Sequence, residues 1–302
     1  MSKSTKWFLI ILGILAVIVI TFAFLMVWLV GDSGDRTETI ATGSGDRIAV
    51  VELKGVIGSS EDIVRQIKKY RDQRGVKAIL LRVDSPGGGV VASQEMYEEV
   101  RKTRDGGKPV VVSMGALAAS GGYYVACGGS RIVANRGTLT GSIGVISEFL
   151  QLQELFGKIG VDVKTIKAGK LKDAGSPTRK MTDADQRYFQ DLMDDVHRQF
   201  MGVVERERKL SHADVVALAD GRVFTGERAL ELRLVDTLGT YEDAIEITAA
   251  LAGIPGRPSI VKERKRHGLL DVLTSDVAEG LTSLKQELLE RPVLSYRFAG
   301  PL

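Results

Sequence analysis

A chain of 302 residues with 41 basic against 38 acidic side chains carries a formal net charge of only +3, which supplies no general attraction for nucleic acid. Its single cysteine, Cys127, excludes an internal disulfide framework and any cysteine cluster for zinc or iron–sulfur. The three histidines, His197, His212 and His267, lie in charged or helix-start surroundings that suit solvated or capping roles, so the sequence calls for neither a metal nor a cofactor.

Residues 7–30 run without a charge and are rich in Ile, Leu, Val and Phe. As a helix they would rise about 36 Å, enough to cross a hydrocarbon core of about 30 Å with some tilt. The run ends Met26-Val27-Trp28-Leu29-Val30 and offers no small-residue cleavage site, which predicts a retained anchor rather than a removed signal. Lys3 and Lys6 precede it, whereas Asp32, Asp35, Arg36 and Glu38 follow, so residues 1–6 are expected in the cytoplasm and everything after the single pass outside it. Residues 31–46, polar and glycine-containing, predict a flexible tether.

The folded body is expected over residues 47–252. Residues 48–53 predict a buried strand, and residues 61–73, with Ile63, Val64, Ile67 and Tyr70 three and four apart, an amphipathic helix. Residues 76–83 form the next apolar run and lead straight into Asp84-Ser85-Pro86-Gly87-Gly88-Gly89. Helical spacing returns over 90–104. Another β-branched run, 109–113, precedes the small residues Gly115, Ala116, Ala118 and Ala119, then Ser120-Gly121-Gly122 and an apolar, helix-compatible stretch. Strand, glycine turn, helix, strand, Ser120 turn, helix is the succession of repeated βαβ units. Such units bring loops from neighbouring parallel strands together at their carboxyl ends. The glycine turn can offer backbone N–H groups to a substrate carbonyl, but by itself it is equally a tight turn. Ser120 can cap a helix or act as a nucleophile, and its own neighbourhood leaves both open.

Further on, residues 131–134 and 142–146 predict short strands, 151–159 a helix and 161–166 a strand. A loop with Lys167, Lys170 and Lys172 follows. Thr182 caps a long helix to about Lys209 whose stripe of Tyr188, Phe189, Leu192, Val196, Phe200 and Val204 is core or subunit packing. Residues 221–239 read as a turn, a helix capped at Thr225 and a second turn, and 241–252 as the last helix of the body. Residues 253–302 form an extension with a weak helical pattern over 271–290, expected to pack on a neighbour or to stay partly disordered.

A serine nucleophile needs a base. No histidine sits at a predicted strand end near the glycine turns, and a lysine can serve only if burial brings its pKa down from about 10.4 towards the working pH. Four motifs together carry a resemblance: Asp84–Val90, Ala118–Ala126, Thr140-Gly141-Ser142-Ile143-Gly144-Val145 and the run from Gly169 to Pro177. In this order and spacing the chain resembles the SppA family of bacterial signal peptide peptidases. The resemblance implies a serine nucleophile at Ser120 with a lysine base at Lys172, Lys170 and Lys167 remaining alternatives. It further implies oxyanion donors at the backbone of Gly87 and Gly121, and Ser142 as the hydroxyl that orients the lysine amine. The implied fold is an α/β spiral similar to Clp protease and crotonase, with a transmembrane helix before it and a helical extension after it. The implied assembly is a homo-oligomer, an octamer for a chain of this length, with sites built across subunit borders. The expected substrates are leftover signal peptides at the bacterial cytoplasmic membrane, the catalytic body facing outward. The competing readings are an acyl-CoA enzyme on the same spiral, a membrane peptidase that trims stomatin-like partners, and an anchored peptide-binding scaffold without catalysis.

Overall fold

The computed structural model of the chain describes residues 45–265 and 295–298, together with 37–42 and residues 5, 7, 13–15, 17, 20 and 21. Two compact units divide it, residues 1–40 with 263–291 and residues 41–262 with 292–302. In the first, the described positions before residue 22 are helical and β1 (Thr37–Thr42) begins. Among the described residues no helix is long and apolar enough to cross a membrane. Most of the predicted span 7–30, and the helical pattern over 271–290, lie outside them.

The second unit is a mixed α/β fold whose sheet is mainly parallel. Its strands are β2 (Arg47–Lys54), β3 (Val76–Ser85), β5 (Val110–Ala119), β6 (Arg131–Ala134), β9 (Thr237–Leu238) and β10 (Ser259–Lys265), in the order β10-β2-β3-β5-β6-β9, all parallel. Short strands β7 (Leu139–Gly141) and β8 (Val223–Thr225) attach beside β5, while β4 (Gly87–Gly89) stands off the sheet. The helices are α1 (Glu61–Asp72), α2 (Val90–Asp105), α3 (Gly121–Ala126), α4 (Gln153–Lys158), α5 (Asp183–Arg208), α6 (His212–Leu218), α7 (Gly226–Glu231) and α8 (Tyr241–Leu251).

The central strands carry buried apolar runs over residues 48–51, 78–81 and 110–112 because both sheet faces are covered there. In β3, Ile79, Leu81 and Val83 point to the side of Ile67, Tyr70 and Met96 on α1 and α2. Leu80 points the other way, towards Ile48, Val50 and Val111 and the α8 residues Ala244 and Ala249. Each such side chain taken fully out of water contributes about 1.5–3 kcal/mol before entropy is subtracted, so this layer fixes the strand order.

One irregularity in the layer aims the site. Val83 pairs with Met114 but Ser85 pairs with Ala118, so β5 carries two more residues than β3 over the same interval. Gly115 lies against the Asp84 carboxylate, where a Cβ would stand 2.6 Å from Cγ, and Asp84 Oδ1 accepts the Leu117 N–H at 3.1 Å. The bulge re-aims the end of β5, the stretch that delivers Ser120.

Elsewhere the chain departs from the sequence reading. Residues 161–166 form no strand and are exposed, since alternating valine, isoleucine and charge meets no partner strand there. The strand expected over 142–146 forms earlier, as β7, which pairs with both β5 and β8. The extension from residue 253 contributes β10 to the sheet beside β2, past the expected end of the body at 252. Helix α5 has its Thr182 capping box, completed by Asp185, and closes at Lys209 in the left-handed conformation. Its stripe is buried at Val196, Phe200 and Val204, whereas Tyr188 at the other end is exposed.

Candidate active site

Ser120 occupies the corner between β5 and α3 with φ 53° and ψ −116°. That is a left-handed conformation rare for any residue with a side chain, and such strain clusters at functional sites. The corner is held by the Ser120 N–H donating to the Gly141 carbonyl at 2.8 Å and by the Ser120 carbonyl accepting from Tyr124 at 2.8 Å. The side chain does not cap α3, although it stands at the capping position and is 1 % exposed. Of the two roles left open for this hydroxyl, helix capping is therefore not the one it performs.

Gly87 and Gly121 meet beside it. A Cβ on Gly87 would stand 2.6 Å from the Gly121 nitrogen and overlap the carbonyl oxygen of Tyr296. One on Gly121 would stand 3.1 Å from that same oxygen and 3.2 Å from Gly87 Cα. A peptide carbonyl of the chain itself thus lodges between the two glycines, a place only glycine backbone leaves room for.

That carbonyl belongs to β11 (Ser295–Arg297), which lies antiparallel on β4 with Ser295 opposite Gly89, Tyr296 opposite Gly88 and Arg297 opposite Gly87. On its other side Ser295 exchanges hydrogen bonds with Ile146, at 3.1 and 3.0 Å, and the Phe298 N–H donates to the Pro86 carbonyl at 2.8 Å. The Tyr296 ring is fully buried, 5.2 Å from Tyr124 and near-parallel to it, 4.7 Å from Phe200, with its hydroxyl donating to the Val196 carbonyl at 3.1 Å. Burial raises its phenol pKa. An extended segment bonded along both edges with one side chain in an aromatic pocket is how a peptide adds to a strand. Nothing in the sequence reading placed the extension here, although Leu294, Tyr296 and Phe298 alternate with Ser295 and Arg297 in strand fashion.

Within β4 the backbone groups face two ways. The Gly87 carbonyl accepts from Ile57 and the Gly89 N–H donates to Ile57, both at 2.8 Å, while the Gly87 N–H donates to Ser85 Oγ at 3.1 Å. In an antiparallel ladder bonded pairs recur every second residue, so the pair after Phe298 and Pro86 is Tyr296 with Gly88. Gly88, rather than Gly87, turns its N–H towards the lodged carbonyl. Ser142 follows Gly141, whose carbonyl holds Ser120, and is itself buried at φ 50° with its N–H on the Arg222 carbonyl at 2.9 Å.

The lysines of the 167–172 loop make no hydrogen bond to this group among the described residues. Lys172 lies exposed in the loop after Gly169, and among the described residues no hydrogen bond joins it to Ser120. Lys167 is committed: its Nζ donates to the Lys170 carbonyl at 2.9 Å and pairs with Asp173. Arg179 grips the same carboxylate at 3.0 and 2.9 Å, and with Lys167 holds its pKa down to about 2. The other nucleophile and base types are placed elsewhere. Burial pushes the Cys127 thiol up to about 12, His212 pairs with Glu205 at 2.7 Å on the surface, and His267 lies outside the described residues. His197 lies on α5. Among the described residues no group of His, Cys, Asp or Glu is arranged to hold a metal ion.

Comparison with known proteins gives the family. Residues 102–255 match the model of peptidase family S49. A protein of Synechocystis named as a protease is 44 % identical over 215 residues, 70 % of this chain and 77 % of its own length. An Enterococcus faecium protein named as a signal peptide peptidase SppA is 35 % identical over 230 residues, 72 % of this chain and 67 % of its own. The chloroplast serine protease SPPA of Arabidopsis thaliana is 33 % identical over 288 residues, and of that longer protein the chain spans 42 %. With its strained serine and its backbone cradle for a peptide carbonyl, the chain belongs to peptidase family S49 and is a serine peptidase.

Proposed function

We propose that this is a membrane-anchored endopeptidase that degrades residual signal peptides, with Ser120 as nucleophile and Lys172 as base. The observation that carries the peptidase site is the Tyr296 carbonyl lodged between Gly87 and Gly121, one residue from Ser120. A substrate strand laid as β11 is laid on β4 would present its scissile carbonyl there.

In the first step a neutral lysine amine takes the Ser120 Oγ proton, with Ser142 orienting the amine, and the alkoxide attacks the carbonyl carbon. The negative oxygen rests on the backbone N–H groups of Gly121 and of the β4 strand. Of the latter, Gly88 suits the task better than Gly87, whose N–H is taken by Ser85. The ammonium returns its proton to the leaving amine, the peptide bond breaks, and water, deprotonated by the same lysine, hydrolyses the acyl-enzyme.

Because Lys172 makes no bond to Ser120 within one chain, the base is assigned to a neighbouring copy. Leu150, Leu155, Ile159 and Ile166 are large apolar side chains left exposed around the lysine loop, as a subunit border would have them. The α/β spiral, the ring of eight, the body over residues 47–252, the anchor at 7–30 and the outward-facing site belong to the same reading. The short tether would keep the cleft near the bilayer, where signal peptides remain. The test is labelling and cleavage together. A peptidyl phosphonate should label Ser120 in the full chain and fail in Ser120→Ala and Lys172→Ala, with hydrolysis of a signal-peptide substrate lost in parallel. Cleavage that survives Ser120→Ala overturns the assignment.

A further inference from the structure

The residue between the two halves of the candidate site has no assigned task. Ser85 is fully buried, and its hydroxyl is used twice: it donates to the Gly55 carbonyl at 2.6 Å and accepts the Gly87 N–H at 3.1 Å. The Gly55 N–H in turn donates to the Asp84 carbonyl at 3.0 Å, so the turn after β2 and the loop after β3 are stapled at two adjacent points. On the opposite side the Ser85 carbonyl lies 3.0 Å from where a Cβ on Gly122 would stand, which places Ser85 against the start of α3. Ser85 is also the β3 residue that pairs with Ala118 immediately past the bulge in β5.

We propose that Ser85 is a positioning residue for the oxyanion pocket: its hydroxyl holds the Gly87 N–H inward and so fixes the peptide plane next to the one that carries the Gly88 N–H outward to the substrate carbonyl. The proposal rests on the reading of Gly88 and Gly121 as the pocket's donors. Gly87 has φ +94°, a conformation in which successive N–H groups point in different directions, and glycine explores many alternatives to it. Something must select this one. Ile57 fixes the Gly87 carbonyl, in whose peptide plane the Gly88 N–H lies, and the Gly89 N–H; the plane before Gly87 is held at its N–H by the Ser85 hydroxyl and at the Pro86 carbonyl by Phe298 of β11, so when a substrate displaces β11 the Ser85 hydroxyl is the anchor that stays. Without it, the buried Gly87 N–H loses its acceptor and the Gly55 carbonyl its donor, and rotation of the glycine planes towards new partners moves the Gly88 N–H off target.

The experiment uses the full chain with Ser85→Ala and, to keep the volume should alanine fail to fold, Ser85→Cys. kcat and KM are measured separately on a peptide, alongside inhibition by a peptide boronate that forms a tetrahedral adduct. An oxyanion donor displaced by a fraction of an ångström is expected to cost about 10- to 100-fold in kcat. Boronate affinity should weaken by a similar factor, while KM changes by no more than about threefold, since strand pairing is common to ground and transition states. Wild-type kcat, or a loss confined to KM or to thermal stability, would refute the assignment. Activity surviving in Ser120→Ala would sink the underlying site instead, so the two failures are told apart.

Discussion

At the scale of single residues, Gly87 carries the sharpest demand in the molecule. A methyl group there would overlap the lodged carbonyl and crowd the Gly121 nitrogen, at a backbone conformation that already disfavours a side chain. Gly87→Ala is therefore expected to lower kcat/KM by about 100-fold or more, the scale of losing an oxyanion donor. Circular dichroism of that variant should still show the parallel core, because β4 stands off the main sheet. Cys127 makes the opposite kind of statement. Burial raises its thiol from 9.0 to about 12, so the native fold favours the protonated form. The stabilisation is complete below pH 9 and is lost as pH rises towards 12. Since the thiolate is the reactive species, iodoacetamide at pH 8 should leave native protein unlabelled and label it fully after unfolding. Labelling of the native form would contradict this packing.

The secondary-structure elements show what a sequence discloses and what it withholds. β2, β3 and β5 were readable because burial on both faces leaves continuous apolar runs, and the loops after β3 and β5 were readable because glycines mark them. Gly87 and Gly121 accordingly meet beside the Ser120 corner, whose N–H is held by the residue before Ser142. Residues 161–166 alternate like a strand, yet strands exist only in pairs and no partner is offered. β11 was missed for the complementary reason: three residues pair with a glycine strand about two hundred positions earlier, and no local pattern announces a partner so distant.

Its position has a kinetic consequence. A segment tethered to the chain competes with substrate at an effective concentration of order millimolar. Deleting residues 293–302 should accordingly raise the initial rate on a short peptide and the rate of phosphonate labelling several-fold. Tyr296→Ala should do the same, because emptying a buried aromatic site costs about 3–5 kcal/mol and loosens the strand. A rate unchanged in both variants would mean that β11 does not occupy the substrate path. The clasp on the lysine loop answers to pH instead. Asp173 has its pKa lowered from 3.8 to about 2 by Arg179 and Lys167, so the clasp is fully made above pH 3.8 and fails as pH falls through 2. The protection of amides in residues 167–180, taken relative to the intrinsic exchange rate at each pH, should hold down to about pH 4 and be lost progressively as pH falls towards 2, with Arg179→Gln poorly protected throughout.

On the scale of the whole molecule, the proposed pair of buried Ser120 and exposed Lys172 can act only when brought into hydrogen-bond contact, and there are two ways to do so. Either the loop folds in on its own chain, or a second copy delivers its lysine. The Arg179 grip on Asp173 and Asp185 ties the residue next to Lys172 to the start of α5, which opposes an inward excursion of the loop. The apolar side chains exposed over residues 150–166 favour contact with another copy. The alternatives differ in one measurement. When Ser120→Ala and Lys172→Ala chains are co-expressed in equal amounts, delivery within one chain leaves every site inactive. Delivery between chains restores about a quarter of the sites, those in which an intact serine meets an intact lysine from a neighbour. Activity recovered in the co-expressed mixture, and absent from each variant alone, would establish the shared site. Its complete absence from a mixed oligomer would return the base to the chain that carries the serine.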